Sequence, residues 1–364
     1  MKKAIVAVPY LSGKGGTETV IRNFYDALVR YSGKQKLDWR LVSFGGTKYS
    51  SWMNKWPKKV YNFSNNRIVQ FGCYASIMPF LIRAILKREQ PDVFVATNPI
   101  IWTLAYRLRN KFSPKTKIIA WYHYSFKEKN VKTKYLKTAD RFWAISNGIR
   151  EELISMGVSS DRIDLIYNPI PIKNIDFVTR SGTQNHFIYI GRIDYSGQKN
   201  VSELIKAFNQ LNGIWHCDLY GNVNKDTKER LLKLANKNTL KNISFKGFYN
   251  NVWNHIETAD VLILTSKYEG LGMVLCEGAT RGIELVSSDC PMGPSEIVNK
   301  NNGYLYTPGK VKELKNILNN FITKKVTLSS QSEIRKSVEK FSFDIYALKV
   351  TNSLEKLVIE DYGR

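Results

Sequence analysis

ADVLILTSKYEGLGMVLCEGATRG (Ala259–Gly282) joins an apolar run to a glycine turn and a helical pattern, with two glutamates eight positions apart. The run predicts a buried β-strand, and the residues after the glycines predict a helix. In open parallel sheets, ligands bind where strands end and helices begin. A helix start binds phosphate through free N–H groups and a positive dipole end. We therefore predict a phosphate site at the backbone of Gly272, Met273 and Val274.

The two glutamates indicate what accompanies the phosphate. A carboxylate beside a phosphate repels it unless the carboxylate reaches neutral hydroxyl groups. Glu269 is therefore predicted to accept hydrogen bonds from a sugar. Glu277 lies about two helical turns further on and is predicted to bind the paired hydroxyls of a ribose. Together these groups describe a nucleotide sugar. In the plainer interpretation, Glu269 is solvated and Glu277 only favours the helix.

A second motif, GRIDYSGQKNV, follows another apolar run. Arg192 comes directly after a strand-ending glycine, and Lys199 stands seven residues later at a predicted helix start. Two cations at one strand end suit a pyrophosphate, whose charge must be neutralised as it leaves. Surface Arg and Lys are common, so this motif alone is weak evidence for a pyrophosphate site. Its combination with the glutamate motif makes the evidence strong.

Apolar strand patterns alternate with helical patterns along both halves, which predicts two parallel sheets covered on both faces. The strand patterns of the first half are 2–10, 39–44, 91–97, 116–123 and 139–146. Those of the second half are 186–194, 215–221, 243–248, 259–266 and 283–289. The proline-marked stretch IYNPIPI (166–172) separates the halves. The last helical pattern, 341–361, is long enough to cross back to the first half.

These motifs resemble the family-4 retaining glycosyltransferases of the GT-B fold. The pattern E-x7-E at Glu269 and Glu277 matches the family, as do Arg192 after its glycine and the downstream Lys199. The resemblance covers nearly the whole chain and includes three further stretches: GKGGTE (13–18), YNP (167–169) and NNGYLYTPG (301–309). FIYIGRIDYSGQK and SSDCPMGPSEI are most similar to the bacterial lipopolysaccharide core 1,6-galactosyltransferases.

The resemblance implies an α/β protein with two doubly wound Rossmann-like domains facing a cleft. An acceptor-binding domain is expected at 1–168, a nucleotide-sugar-binding domain at 169–340, and a helix crossing back to the first domain at 341–364. The implied activity is transfer of a hexose, with galactose favoured, from a UDP-sugar to a lipopolysaccharide core or similar glycan. The alternative is a UDP-glucose or UDP-N-acetylglucosamine transferase of capsule, teichoic acid or glycolipid synthesis.

The family's roles carry over residue by residue. Arg192 and Lys199 would hold the diphosphate, and Gly272 with its neighbours would contact the phosphate. Glu269 would contact donor-sugar hydroxyls, and Glu277 would bind the ribose.

The first half supplies the remaining implied residues. Gly15 and Gly16 would close over the phosphates from the opposite domain. His123 matches the family's histidine near the reacting sugar, and its alternative is a core histidine.

No metal or other cofactor is expected. The sequence has no D-x-D, and the scattered histidines and cysteines show no metal-type spacing. The cation pair and the helix start would replace a divalent cation. Retention commonly uses a carboxylate nucleophile, for which the sequence offers no candidate, so the resemblance implies front-face attack. Two rivals stay open: a phosphorylase-like enzyme with pyridoxal phosphate on a lysine, and a nucleic-acid-binding protein.

The charge is concentrated in the first half. Residues 1–168 contain 29 Lys and Arg against 11 Asp and Glu, a balance of +18. This balance predicts an anionic partner, here a membrane surface and no nucleic acid. Residues 50–70, with Trp52, Trp56 and the lysines of KWPKK, are predicted to dock on anionic lipid. The expected location is cytoplasmic, on the inner face of the membrane. The alternative is a proteome-wide lysine bias.

Overall fold

The computed structural model describes residues 2–30, 37–63, 67–183 and 185–362. The chain forms two compact units. One unit combines Met1–Pro169 with Phe343–Arg364, and the other is Ile170–Ser342. The division thus falls inside the proline-marked stretch. Residues 363–364 of the expected C-terminal helix lie outside the described part.

The first unit contains, within the described residues, a seven-stranded parallel sheet of order β3-β2-β1-β4-β5-β6-β7. Its strands are β1 (Lys2–Val8), β2 (Leu37–Phe44), β3 (Lys58–Tyr61), β4 (Val93–Ala96), β5 (Lys117–Ala120), β6 (Arg141–Ala144) and β7 (Ile163–Leu165). Its helices are α1 (Gly16–Arg30), α2 (Arg67–Ser76), α3 (Met78–Glu89), α4 (Pro99–Phe112), α5 (Thr133–Leu136) and α6 (Asn147–Ser155). All four residues of β4 are buried, as expected for a strand covered on both faces.

The second unit contains a six-stranded parallel sheet of order β10-β9-β8-β11-β12-β13 in its described part. Its strands are β8 (His186–Ile190), β9 (His216–Tyr220), β10 (Ile243–Gly247), β11 (Val261–Leu264), β12 (Glu284–Ser288) and β13 (Gly303–Tyr306). Its helices are α7 (Val201–Phe208), α8 (Lys225–Leu234), α9 (Lys237–Asn242), α10 (Met273–Thr280), α11 (Pro294–Ile297), α12 (Val311–Ile322) and α13 (Gln331–Lys336). Two doubly wound α/β units confirm the predicted fold class.

The last helix, α14 (Phe343–Tyr362), belongs to the first unit. Its Ser353 hydroxyl accepts a 2.8 Å hydrogen bond from the Trp143 indole and donates one of 2.6 Å to Asp164. Asp164 is also paired with Arg141 at 2.7 Å and with Lys356 at 3.0 Å. This network fixes α14 against β6 and β7. Among the described helices, none is both long and apolar enough to cross a bilayer.

The predicted docking of Trp52 and Trp56 on lipid is wrong. Their exposed fractions are 4% and 3%, so neither ring can reach a membrane. The Trp56 ring lies 4.6 Å from that of Tyr25 and stacks at 6.1 Å on Phe24, both on α1. The neighbouring Lys55 is paired with Asp26 at 2.8 Å. The two tryptophans of this stretch are core residues, and its positions 64–66 lie outside the described part.

Candidate active site

The carboxyl ends of β8 and β9 meet through two glycines in the second unit. A Cβ atom on Gly221 would lie 1.7 Å from the carbonyl oxygen of Gly191, so only glycine fits there. The Gly191 N–H donates to the Tyr220 carbonyl at 2.9 Å. Because glycines stand at this close approach, neither of them places a side chain over the edge of the sheet where the loops after β8 and β9 begin.

The loop after β8 is folded by Asp194. Its two carboxylate oxygens accept from the backbone N–H groups of Lys199 (3.0 Å) and Asn200 (2.9 Å). The buried Tyr189 hydroxyl donates to the Arg192 carbonyl at 2.9 Å. The two predicted cations therefore leave from a rigid loop. Asp194 is not among the predicted site residues, and its position two residues after Arg192 is its only signal in the sequence.

Lys199 and Glu269 form an ion pair. The Lys199 Nζ lies 2.6 Å from the Glu269 Oε1, and the side chains are only 17% and 9% exposed. The loops that carry them are joined, since Thr265 Oγ1 donates to the Lys199 carbonyl at 2.9 Å. The structure thus brings a residue predicted to hold phosphate directly to one predicted to hold sugar.

Arg192 lies beside this pair with most of its guanidinium in solvent. Its side chain is 64% exposed, with Nε 3.7 Å from Asp194 Oδ2. Its Nη2 donates to Gln198 Oε1 at 3.2 Å, and Gln198 in turn donates to the Tyr268 carbonyl at 3.1 Å. Gln198 therefore connects the exposed guanidinium to the loop that carries Glu269, a role for which its sequence position gives no signal.

Helix α10 begins at the predicted phosphate site. Gly272 precedes it with φ +89°, a left-handed conformation that favours glycine. Met273 and Val274 occupy the first turn, where helix geometry leaves N–H groups without an intrahelical acceptor. The loop after β12 packs on the residues just before this turn, because a Cβ on Gly293 would lie 2.2 Å from the Leu271 carbonyl oxygen.

Glu277 lies further along α10 and is held by Trp253. The indole Nε1 donates to Glu277 Oε2 at 3.0 Å. Arg281 contacts the same two residues. Its guanidinium lies 4.2 Å from the Trp253 ring and donates a hydrogen bond to the Glu277 carbonyl. Trp253 is a functional candidate that sequence reasoning missed, because 24 residues separate it from Glu277.

The glycine loop of the first unit lies between β1 and α1. Gly16 is the first residue of α1, and Gly15 directly precedes it. The buried Glu18 carboxylate accepts from the Gly13 N–H at 2.7 Å and from the Ser12 hydroxyl at 3.3 Å. Glu18 therefore holds the loop by hydrogen bonds from its buried side. The predicted Gly15 and Gly16 lie at the start of α1.

His123 follows β5 at the carboxyl edge of the first sheet. It is buried against Trp121, with ring centroids 4.5 Å apart. Neither ring nitrogen has a hydrogen-bond partner among the described residues. Burial lowers the pKa of His123 to about 3, so the ring is neutral. The next residue, Tyr124, has its hydroxyl 3.4 Å from Thr17 on α1, which places His123 and the glycine loop at one edge.

The histidines are scattered along the sequence, but the fold brings two of them together at one place in the second unit. His186, His216 and Asp218 lie together, with His Nε2 to Asp218 distances of 3.2 and 2.8 Å. Lys246 lies 3.3 Å from the same carboxylate. Burial alone would raise the pKa of Asp218, but the two histidines and Lys246 outweigh it and lower the value to about 2. This group lies at the amino ends of the strands, away from Lys199 and Glu269.

The four cysteines are free, with Cys73 half-buried and the other three buried.

Comparisons with known proteins agree with the geometry. The family described as Glycosyltransferase Family 4 matches residues 14–174, and Glycosyl transferases group 1 matches residues 172–341. The lipopolysaccharide 1,6-galactosyltransferase of Escherichia coli K12 is 29% identical over 97% of each chain. Among solved structures, a lipopolysaccharide outer core galactosyltransferase in its apo form aligns with a TM-score of 0.81 and 26% identity, covering 97% of this chain and 99% of that one.

A more distant fold neighbour is HepE of Anabaena, solved in complex with UDP-glucose. It aligns with a TM-score of 0.76 and 18% identity over 97% of this chain and 99% of that one. The two family matches together span nearly the whole chain, on a fold of two doubly wound sheets. The chain belongs to the family-4 glycosyltransferases of the GT-B fold and is a glycosyltransferase.

Proposed function

We propose that this enzyme transfers a hexose, with galactose as the favoured sugar, from a UDP-sugar to a lipopolysaccharide core or a similar cell-surface glycan. The observation that carries the proposal is the similarity along 97% of the chain to a lipopolysaccharide 1,6-galactosyltransferase. The fold neighbour that binds UDP-glucose supports a uridine nucleotide as the carrier. The site agrees, since a cation, a carboxylate and a free helix start lie at one sheet edge.

The residues would share the reaction as follows. Arg192 and Lys199 hold the diphosphate, and the first turn of α10 adds N–H donors. Glu269 takes donor-sugar hydroxyls, and Glu277, held by Trp253, takes the ribose. Gly15, Gly16 and His123 in the first unit keep the roles that the resemblance implies.

The chemical step breaks the bond from the sugar C1 to the β-phosphate oxygen and forms a bond from C1 to the acceptor oxygen. The electron pair of the broken bond stays on the phosphate, where Arg192 and Lys199 stabilise it. The departing phosphate takes the acceptor's proton on the same face of the sugar, so the anomeric configuration is retained. With these cations as the clamp, the step needs no metal ion.

The test is UDP release and product formation with UDP-galactose, UDP-glucose and UDP-N-acetylglucosamine, each with and without EDTA. We expect turnover with UDP-galactose on a lipopolysaccharide core acceptor, unchanged by EDTA. Turnover confined to UDP-N-acetylglucosamine would favour the teichoic acid or capsule alternative. Complete loss in EDTA with rescue by manganese would contradict the cation clamp.

We further propose that the basic first unit docks on an anionic membrane surface, through α3 in place of the buried tryptophans. Phe80 is 68% exposed and Ile77 is 44% exposed. Phe80, Arg83 and Lys87 line one shallow depression on this helix. An exposed ring beside basic side chains suits a lipid interface, where each basic residue contributes about 1 kcal/mol.

Vesicle co-sedimentation tests this surface. Wild-type protein should bind vesicles containing phosphatidylglycerol, leave them in high salt, and bind neutral vesicles poorly. Changing Arg83 and Lys87 to Glu should release it. Lys225→Glu with Arg230→Glu, on the exposed face of α8 in the second unit, makes the same charge change and should not. Equal loss in both double variants would mean that only net charge matters.

A further inference from the structure

Two histidines and an aspartate share one face of the second sheet. His186 opens β8, His216 opens β9, and the two are register partners on adjacent parallel strands. Asp218 stands two residues after His216, so its side chain points to the same side. Their candidate ligand atoms all lie within 4.8 Å of one another. The alternation of side chains along each strand and the register between β8 and β9 bring the three groups together. Other side chains of the sheet also enforce this register.

The spacing suits a small divalent cation. Zinc binds imidazole nitrogen and carboxylate oxygen at about 2.0–2.2 Å, so tetrahedral ligand atoms stand about 3.4 Å apart. The Asp218 oxygens lie 3.2 Å from His186 Nε2 and 2.8 Å from His216 Nε2. A metal ion could replace these two hydrogen bonds with only small side-chain movements.

His186 also has the outer partner that metal-binding histidines use. Its Nδ1 lies 2.9 Å from Thr258 Oγ1. When a metal ion takes the place of the hydrogen bond to Asp218, Nδ1 can donate its proton to that hydroxyl and Nε2 can offer its lone pair to the ion. His216 is 41% exposed, which gives an ion a path from solvent and room for a water ligand.

We propose that His186, His216 and Asp218 form a binding site for a borderline transition-metal ion such as Zn²⁺, which fastens the amino ends of β8 and β9. Imidazole and carboxylate ligands favour such ions over Mg²⁺ and Ca²⁺, which prefer oxygen. The site is structural and not catalytic. His186 stands at the start of β8, about 16 Å along the strand from Gly191 at its other end.

Lys246 competes with the metal for Asp218. Its ammonium lies 3.3 Å from Asp218 Oδ1, and its side chain is 40% exposed. It can therefore turn into solvent when a cation arrives, but its charge opposes binding. Removing this charge should tighten the site, whereas removing a ligand should weaken it. Opposite effects of two neighbouring substitutions distinguish a metal site from a salt-bridged cluster.

The test is a titration of the EDTA-treated, desalted full chain with ZnCl₂, followed by calorimetry and thermal unfolding. We expect one saturable site, and a rise in Tm of about 5 °C when free zinc exceeds Kd about 100-fold. His216→Asn should raise Kd at least tenfold, and Thr258→Val about tenfold. Lys246→Met should lower Kd.

His255→Asn is the matched control. His255 is an exposed histidine of the same unit that stacks on Tyr249 and takes no part in the cluster. This variant should bind zinc as the wild type does. The proposal is overturned if no saturable site appears, if His216→Asn binds like the wild type, or if Lys246→Met binds more weakly. EDTA should lower Tm without stopping transfer below that temperature, which separates this site from the clamp.

Discussion

Replacing Glu269 by Gln should separate the sugar contact from the phosphate contact. The substitution keeps the side-chain shape but removes the carboxylate charge that lies 2.6 Å from Lys199 Nζ. We expect turnover with UDP-galactose to fall by about 10²-fold or more, since the proposed hydrogen bond from the reacting sugar would lose its charged acceptor. UDP affinity should not fall, because the role proposed for Glu269 is a sugar contact and its carboxylate competes with a diphosphate for Lys199.

The magnitude follows from the geometry of the pair. A hydrogen bond to a charged group contributes about 1.5–3 kcal/mol, and about 1.4 kcal/mol corresponds to tenfold in Kd. In the wild type, Lys199 must loosen this bond to meet a diphosphate. In the variant the competing bond is weaker, so the Kd of UDP should stay the same or fall by up to about tenfold.

The same substitution should destabilise the free protein. Removing one partner of a buried pair costs about 3–5 kcal/mol. The side chains are 17% and 9% exposed, so we expect the lower end, about 3 kcal/mol. A bound diphosphate would give Lys199 a new counter-ion. UDP should therefore raise Tm more in Glu269→Gln than in the wild type.

Initial rates, calorimetry with UDP and thermal unfolding measure these effects. Glu284→Gln is the control, because Glu284 is a buried glutamate at the amino end of β12 that accepts from the Ser329 N–H at 2.9 Å. It should lower Tm and leave the Kd of UDP unchanged. A tenfold or greater rise in Kd for Glu269→Gln would refute the assignment of Glu269 to the sugar.

Three further outcomes are expected. Glu277→Gln should raise the Kd of UDP by about tenfold or more. Trp253→Phe removes the indole donor but keeps a ring, so it should raise the Kd less. Calorimetry would show the reverse order if Trp253 bound the nucleotide itself. Arg192→Ala should slow transfer by about 10²-fold without changing Tm. Arg192→Lys should recover only part of the rate, because an ammonium lacks the guanidinium fork. A normal rate in Arg192→Ala would mean that the diphosphate binds elsewhere. Burial places the pKa of His123 at about 3, below its ordinary 6.5, so between these values the unfolded chain binds a proton that the folded protein does not. Its contribution to stability is complete above pH 6.5 and falls on acidification by about 1.4 kcal/mol per pH unit; denaturant unfolding of His123→Gln should show a shallower decline from pH 6.5 to 4, and parallel curves would contradict a buried neutral ring.

The sequence predicted the regular elements wherever the local pattern was strong. Apolar runs such as ADVLILTS gave the central strands, because burial on both faces requires continuous apolar residues. It missed β3, β7 and β13, which are short edge strands with incomplete burial. An edge strand of this kind carries no continuous apolar run, and its pairing with the neighbouring strand is absent from local periodicity.

The sequence by itself also determined the family and the two motifs of the candidate site. Gly272 with Glu269, and Arg192 with Lys199, are close in the chain, so a turn and a helix start set their geometry locally. The relative positions of residues this close in the chain can be predicted from the sequence, since backbone dihedrals and helix periodicity fix them.

Only the tertiary structure decided which side chains meet across the sheet. Lys199 pairs with Glu269 across 70 positions, and His186 approaches Asp218 across 32. Strand order and register bring such residues together, and both depend on the packing of the whole unit. The same packing turned Trp56 towards Phe24 and into the core, against the lipid-facing role that its lysine neighbours suggested. A side chain's partners are a property of the folded sheet, whereas its local conformation is a property of the chain.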